Sequence, residues 1–352
     1  MSLLRLDIHQ LRNLQASSLR PDPHINLIVG PNASGKTSLL EAIYLLGRGR
    51  SFRTPRSADL IAHGTDRFSV AGRIFREERE ISLGVGFAEG ERRLKLDGRI
   101  VDARAELLHA LPVQFIDPTL HTLLGDAPKA RRQFLDWGTF YAETDYLPAW
   151  RRYRRALEQR NAVLKSGRRE AAILWGRELV KYGKIIEICR RRYVEALQIR
   201  FKEVAEQAEL GTELELRYLP GWAGGKSLEA ALHDDLDRDI RHGCTHSGPH
   251  RDDFTLYDAG RPVRRRLSRG QMKLLTCVLA LVQTCLPARP VCLLIDDLAS
   301  ELDLENQALL TDLIVHFNIQ IFITATHPEA LPRLGPRAGR TFRLERGVIT
   351  PN

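Results

Sequence analysis

The segment Gly30-Pro31-Asn32-Ala33-Ser34-Gly35-Lys36-Thr37 fits G-x-x-x-x-G-K-[ST] at every fixed position, and it constrains the fold more than any other feature of the chain. The pattern has physical meaning only where a strand ends and a helix begins. Both are expected here. Ile25-Asn26-Leu27-Ile28-Val29 is a short apolar run closed by Gly30, as a buried strand would be, and residues 38–46 have helical spacing. Gly30 and Gly35 let the backbone curl so that successive N–H groups face an anion. The following helix directs the positive end of its dipole at the same point. Pro31, Asn32, Ala33, Ser34 and Ser38 complete the expected cradle. Lys36 is expected to reach the β- and γ-phosphates of ATP, and the Thr37 hydroxyl to hold Mg²⁺. The plainer alternative, a tight glycine turn with no ligand, loses weight in this strand-to-helix context.

Magnesium also calls for a carboxylate. Val291-Cys292-Leu293-Leu294-Ile295 is a continuous apolar run, as expected of a central parallel strand, and it ends in Asp296-Asp297. Asp296 beside the phosphate loop suits Mg²⁺ through its water shell; alone, the pair would read as a polar strand end. Lys36 and Asp296 lie 260 residues apart, so something large is inserted between them. Residues 1–110 read as mixed β with one helix. Residues 68–101 form a meander in which Asp97-Gly98 signals a hairpin turn. Residues 140–210 are almost free of β signals. After a break at Ser166-Gly167, Trp175, Leu179, Tyr182, Ile186, Cys189, Tyr193 and Ala196 recur at spacings of four and three, the seam of a long helix packed on another. From residue 245 the α/β text returns.

Charge locates a second function. The chain carries 53 Lys and Arg against 44 Asp and Glu, a net +9 with a pI near 9.5, which points to nucleic acid or an anionic membrane surface. The excess is local. Residues 151–202 hold 16 basic and 5 acidic side chains, net +11, so the remainder nets −2. Arg151, Arg152, Arg154 and Arg155, then Arg190, Arg191 and Arg192, are the densest clusters. Arginines on exposed helices can neutralise DNA phosphates without reading bases; solvated helix faces are the plainer reading. A membrane is not expected. The longest mostly apolar stretch, 274–286, is interrupted by Thr276, Gln283 and Thr284 and is too short to span a bilayer. Leu4, Leu6 and Ile8 alternate with Arg5 and Asp7, which is a strand rather than a signal sequence. Five scattered cysteines without a CxxC pair argue against disulfides or zinc and for the cytoplasm.

Several further segments resemble the ABC ATPases in the order that family has them. Leu267-Ser268-Arg269-Gly270-Gln271 looks like the LSGGQ signature with Arg269 in place of the first signature glycine. Ser300-Glu301-Leu302-Asp303 looks like the D-loop. Gln114 sits where a Q-loop glutamine would, and His327 follows an apolar strand as the switch histidine does. The closer resemblance is to the RecF family, the bacterial recombination and repair proteins of the SMC-like branch, and it runs through nearly the whole chain. It is carried by Gly30 to Ala42, Ser51-Phe52-Arg53-Thr54, Arg131-Arg132-Gln133-Phe134-Leu135-Asp136, Gly248-Pro249-His250-Arg251-Asp252-Asp253 and Asp296 to Asp303.

That resemblance implies an α/β fold: an ABC-type ATPase head, with a phosphate-loop parallel sheet and an antiparallel β subdomain, and an inserted α-helical, coiled-coil-like lobe. The head would comprise residues 1–115 and 245–352, and the lobe 116–244. It implies ATP-dependent binding of single- and double-stranded or gapped DNA, dimerisation around ATP, slow hydrolysis, and assistance to recombinase loading with RecR- and RecO-type mediators. Ser268 and Gly270 of one copy would clamp the nucleotide of the other, with Asp303 nearby; locally, Ser268 is also a helix N-cap. Gln114 would assist Thr37 and Asp296 at the metal, and His327 would sense the γ-phosphate. Asp297 stands where many ABC ATPases have the glutamate that positions the attacking water. The ATPase subunit of a membrane transporter is the rival reading, but it lacks a long basic helical insert.

Overall fold

The structure, a computed structural model, describes residues 1–102, 104–116, 122–125, 127–210, 213–297, 302–317, 319–328, 331, 333–334 and 337–351. The chain divides into two compact units: Met1–Leu120 with Lys273–Cys285 and Arg289–Asn352, and His121–Met272 with Leu286–Ala288.

The first unit opens with β1 (Ser2–His9), β2 (Ser17–Leu19), β3 (Ile25–Val29) and α1 (Lys36–Arg48). Then come β4 (Phe68–Arg76), β5 (Arg79–Ala88), β6 (Glu91–Leu96), β7 (Arg99–Ile100), α2 (Arg104–Ala110) and β8 (Val113–Ile116). The meander is an antiparallel sheet of order β2-β1-β4-β5-β6-β7. In β4 burial alternates strictly: Phe68, Val70, Gly72 and Ile74 face inward, as a sheet covered on one face requires. Asp97 and Gly98 both have positive φ, 49° and 76°, the backbone of a two-residue hairpin turn. Leu39, Leu40, Ile43 and Leu46 of α1 share one core with Leu3, Leu6, Val70, Ile74, Leu83 and Val85 of this sheet.

The second unit holds α3 (Pro128–Ala142), α4 (Tyr146–Lys165), α5 (Arg169–Gln207), β9 (Leu214–Leu219), α6 (Leu228–Asp234), α7 (Leu236–His242), β10 (Asp253–Asp258) and β11 (Arg261–Pro262); α8 (Arg269–Gln283) begins in it. α4 and α5 meet at Ser166-Gly167, where Gly167 takes φ 69°. At 1.5 Å per residue α5 is about 58 Å long. Leu179, Ile186, Cys189 and Tyr193 of the expected seam are buried, but Ala196 is exposed and Leu197 takes its place. A 3.5-residue spacing drifts against a straight 3.6-residue helix, so the buried stripe moves by one position along its length. Residues 245–272, expected with the head, cluster with this unit, because β10 pairs with β9 from Asp253↔Leu219 to Asp258↔Leu214.

The chain then returns to the first unit as β12 (Cys292–Ile295), α9 (Leu304–His316), β13 (Gln320–Ala325), β14 (Arg340–Glu345) and β15 (Val348–Pro351). The second sheet has the order β15-β14-β3-β13-β12-β8, parallel from β14 to β8. Every residue of β3, β12 and β13 is buried, so β12 reads as an unbroken apolar run, and β3 and β13 are interrupted only by Asn26, Gln320 and Thr324, whose side chains are hydrogen-bonded. The register Ile295↔Ile323↔Leu27 brings the carboxyl ends of β12 and β3 to the same edge, where α/β sheets hold their ligands. Among the described residues no helix is long and apolar enough to cross a membrane.

Candidate functional site

At that edge Gly30 follows β3, and the loop runs into α1 through Gly35 at φ 114°. Only glycine adopts this conformation readily. At Gly30 an added Cβ would lie 2.1 Å from the Leu344 carbonyl oxygen, so the close approach of β14 also excludes a side chain. The first helical hydrogen bond is Leu39 N to Gly35 O at 2.9 Å. The amides before it at the start of α1 therefore have no intrahelical partner and remain available to an anion. Lys36 folds over the loop: its Nζ donates to Gly30 O at 2.7 Å and Pro31 O at 3.0 Å. An ammonium has three donors, so one remains for phosphate. Burial pushes the Lys36 pKa down, while Asp297 and Asp296 oppose that shift.

Thr37 Oγ1 donates to Asp296 Oδ2 at 2.8 Å, and Thr324 Oγ1 to Asp296 Oδ1 at 2.7 Å. The Asp297 amide donates to Thr324 Oγ1 at 2.8 Å. Residues 259 apart in sequence thus meet through β3, β13 and β12. The pair fits Mg²⁺. Two adjacent ligands on an octahedron with bonds of about 2.0–2.1 Å lie about 2.8–3.0 Å apart, a range that includes the Thr37–Asp296 separation of 2.8 Å. Among the described residues no three His, Cys, Asp or Glu side chains form a metal cluster. Magnesium commonly relies on one or two protein oxygens plus phosphate and water, so this donor set is sufficient.

Lys36, Thr37 and Asp296 line a cavity of about 740 Å³ together with Asn32, Ala33, Gly35, Ser38 and Asp297. Its remaining lining was not anticipated from sequence: Arg12, Asn13, Arg53, Ile61 and His63. Arg53 lies in a segment that carried the family resemblance; nothing in the local pattern marks Arg12 or His63. Asp297 holds φ 49°, a strained state for a residue other than glycine. Gln114 and His327 do not line the cavity. Gln114 is buried within β8, opposite Leu293 of β12, and exposed His327 shares a hydrogen bond of 2.8 Å with Thr326.

The other sequence candidates fall elsewhere. Ser268 and Gln271 form a reciprocal cap on α8: Gln271 N donates to Ser268 Oγ at 3.2 Å and Ser268 N to Gln271 Oε1 at 2.9 Å. Gly270 has only Ser268 Oγ, 3.9 Å away, near the place of a Cβ. Asp303 caps α9 by accepting from Asn306 N at 2.8 Å; Ser300 and Glu301 lie outside the described residues.

Of the basic clusters, Arg151, Arg152, Arg154 and Arg155 are all exposed on α4. Arg154 pairs with Glu158 at 3.3 Å, and the other three have no ion pair among the described residues. Arg191 and Arg192 are exposed on α5 and pair with Glu187 and Glu143. Arg190 corrects the sequence reading: it is fully buried and faces no solvent. Its Nη1 donates to Pro249 O and Asp252 Oδ2, both at 2.6 Å, and its Nη2 to Asp136 Oδ1 at 2.5 Å and Tyr146 OH at 3.2 Å. Asp252 also accepts from Tyr218 OH and from Gly221 N at 2.7 Å. Two of the segments that carried the resemblance, around Asp136 and Asp252, are therefore tied together by Arg190 as an internal brace. Consecutive helical residues point about 100° apart, so one arginine of three turns into the core while two stay out.

Residues 2–348 match the family described as the RecF/RecN/SMC N terminal domain. The chain is 38% identical to the DNA replication and repair protein RecF of Shewanella denitrificans, over 99% of each chain. It is 42% identical to that of Azotobacter vinelandii, over 99% of this chain and 98% of the relative. Among solved structures, the recombination mediator protein RecF-ATPrS in the RecFOR pathway matches with a TM-score of 0.87 and 26% identity, over 99% of this chain and 97% of that one. An Smc head domain from Pyrococcus furiosus shares the fold with a TM-score of 0.62 at 17% identity, over 100% of this chain and 96% of that one.

Proposed function

The chain belongs to the RecF family within the RecF/RecN/SMC group, and from that premise we propose that it is an ATP-dependent DNA-binding protein of replication and recombinational repair, with ATP hydrolysis as its switch. The observation that carries the reading is the meeting of Thr37 with Asp296 beside a lysine already seated on the phosphate loop. In this reading Lys36 offers its remaining proton to the β- and γ-phosphates. Thr37 and Asp296 hold Mg²⁺, which when bound neutralises phosphate charge. Asp297 orients the attacking water. Gln114 keeps the metal-side role and His327 the γ-phosphate-sensing role that the resemblance implies, although neither lines the cavity described above.

Hydrolysis awaits a second copy, whose Ser268 and Gly270 close on the γ-phosphate. Ser268 performs its capping role in the single chain and presents the same helix start to the partner. DNA, single-stranded, duplex or gapped, lies against the exposed arginines of α4 and α5: Arg151, Arg152, Arg154, Arg155, Arg191 and Arg192. RecR- and RecO-type mediators are the expected protein partners, in the cytoplasm. The functional division follows the sequence expectation, with nucleotide chemistry in the head and DNA contact in the inserted lobe.

The test uses Asp297→Asn. With ATP and Mg²⁺ it should bind nucleotide and run as a dimer in size-exclusion chromatography, yet hydrolyse at least a hundredfold more slowly than wild type, because the carboxylate that positions water is gone. It should accumulate on gapped DNA. Turnover at the wild-type rate would assign the base to another residue; a chain that neither binds ATP nor dimerises with it would overturn the whole reading.

A further inference from the structure

The turn that follows α7 sets a cysteine, a histidine and an aspartate in series, and none of the three lines the nucleotide cavity. α7 closes at Gly243, φ 65°, and the Cys244 amide donates to Asp239 O at 3.2 Å. The Asp239 side chain is fully buried, and its Oδ2 accepts from Arg160 Nη1 at 2.7 Å. Its Oδ1 accepts from the His246 amide at 3.0 Å and lies 2.7 Å from His246 Nδ1. A carboxylate facing a guanidinium only accepts, so in the neutral imidazole Nδ1 carries the hydrogen and Nε2 presents its lone pair. That nitrogen lies 3.8 Å from Cys244 Sγ, a hydrogen-bond distance for sulfur. The segment is braced from α4: Thr245 Oγ1 accepts from Arg160 Nη1 at 2.7 Å, and Thr245 N donates to Asn161 Oδ1 at 2.9 Å. The His242 ring meets His246 edge-on, with centroids 5.1 Å apart.

A nucleophile, a base within reach of it and a third group that orients the base make up the arrangement by which proteins activate thiols. The other cysteines are placed differently. Burial pushes the thiols of Cys189 and Cys277 up to about 11 and about 12, and that of Cys292 up as well, which leaves them inert. Cys285 is exposed and Cys244 only partly so, but Cys285 Sγ faces Leu281 O and Thr284 Oγ1, both at 4.0 Å. We propose that Cys244 is a modification site: a nucleophilic thiol that exchanges with a small-molecule disulfide such as oxidised glutathione, with His246, its tautomer set by Asp239, as the base. His246 Nε2 takes the Cys244 proton. The thiolate bonds to one sulfur of the disulfide as that molecule's own S–S bond breaks. The departing thiolate takes the proton back from His246. Cys244 is oxidised, half of the disulfide is reduced, and the histidine returns neutral. Excess thiol reverses the exchange, so the unit that carries α4 and α5 gains a removable covalent mark.

The test is peptide mapping by mass spectrometry of the reduced full chain, sampled over time with oxidised glutathione at pH 7. An ordinary thiol is only about 3% ionised at that pH. A base in contact should therefore make Cys244 react about tenfold or more faster than Cys285, despite its lesser exposure. His246→Gln keeps a hydrogen-bonding side chain but no base. It should slow Cys244 about tenfold and leave the Cys285 rate unchanged, a contrast that general loosening of the fold would not give. Dithiothreitol should release the glutathionyl group; an adduct that resists it would refute the exchange. Cys285 reacting as fast as Cys244, or a Cys244 rate indifferent to His246→Gln, would overturn the proposal. Should His246→Gln fail to fold, the ratio of the Cys244 and Cys285 rates in the wild-type chain decides alone.

Discussion

Replacing Arg190 with alanine is expected to destabilise the second unit severely while touching no surface. The guanidinium makes four hydrogen bonds, two of them to the carboxylates of Asp252 and Asp136, and lies over the Trp150 ring at 5.2 Å. Without it, Asp252, itself 0% exposed, keeps only Tyr218 OH and the Gly221 amide. Removing one partner of a buried ion pair costs about 3–5 kcal/mol. For a folding unit of this size each kcal/mol lowers Tm by about 2–4 °C, so the expected loss is roughly 6–20 °C. The deficit should depend on pH. Burial already raises the Asp252 pKa above its ordinary value, and Arg190 opposes that shift; in the variant the pKa rises further. A carboxyl whose folded pKa exceeds its unfolded one penalises the native state once pH is above both, and the native state takes up the proton first as pH falls. The gap between variant and wild type should therefore be widest at pH 7 and narrow toward pH 5. Scanning calorimetry at both pH values measures it. Arg191→Ala and Arg192→Ala, which remove exposed pairs worth about 0–1 kcal/mol, serve as references. A Tm within about 2 °C of wild type at pH 7, or a gap that widens on acidification, would refute the reasoning.

Lys36→Ala should lose most ATP binding, read by calorimetry, because among the described residues no other ammonium is seated on the loop. Ser268→Arg should leave ATP binding by the single chain nearly intact and abolish ATP-dependent dimerisation in size-exclusion chromatography; a variant that still dimerises would count against a composite site. Reversing charge at Arg151, Arg152, Arg154 and Arg155 should weaken DNA binding regardless of sequence. It should also reduce the salt dependence, by about 0.9 in log–log slope for each duplex phosphate that is no longer neutralised. Unaltered affinity would place the DNA track elsewhere.

How much of this can be read before folding depends on whether a residue's role is local. Ile25–Val29 and the run before Asp296 are legible because a strand covered on both faces is mostly apolar, with Asn26 the one polar exception in β3, and Gly30 and Gly35 because close approach at the first and backbone state at the second exclude side chains. The meander is legible from its period of two and from Asp97-Gly98. Arg190 is not. Its three-arginine run looks uniform, and only the phase of α5, set by packing along its whole length, decides which member turns inward. Its position four after Ile186 and three before Tyr193 was the available signal. Arg12 and His63 are less accessible still. They reach the cavity because residues 10–12 pair with 60–62, through Arg12 N to Leu60 O at 2.8 Å and Ala62 N to Gln10 O at 2.9 Å, a long-range pairing with no local pattern.

The strand order of the parallel sheet has a consequence for biogenesis. β3, which ends at Val29, is flanked by β13 and β14, which begin at Gln320 and Arg340. At a synthesis rate of about 5–20 residues per second, the strand that leads into the phosphate loop waits roughly 15–60 s for either neighbour. The helical hairpin of α4 and α5, whose two arms are near in sequence, can form meanwhile. During that interval an apolar strand has no sheet to join and is a target for chaperones or for pairing with other nascent chains. A chain that ends before β13 lacks both neighbours of the strand that leads into the phosphate loop and is therefore expected to bind no nucleotide, even though it carries the whole basic α4–α5 segment.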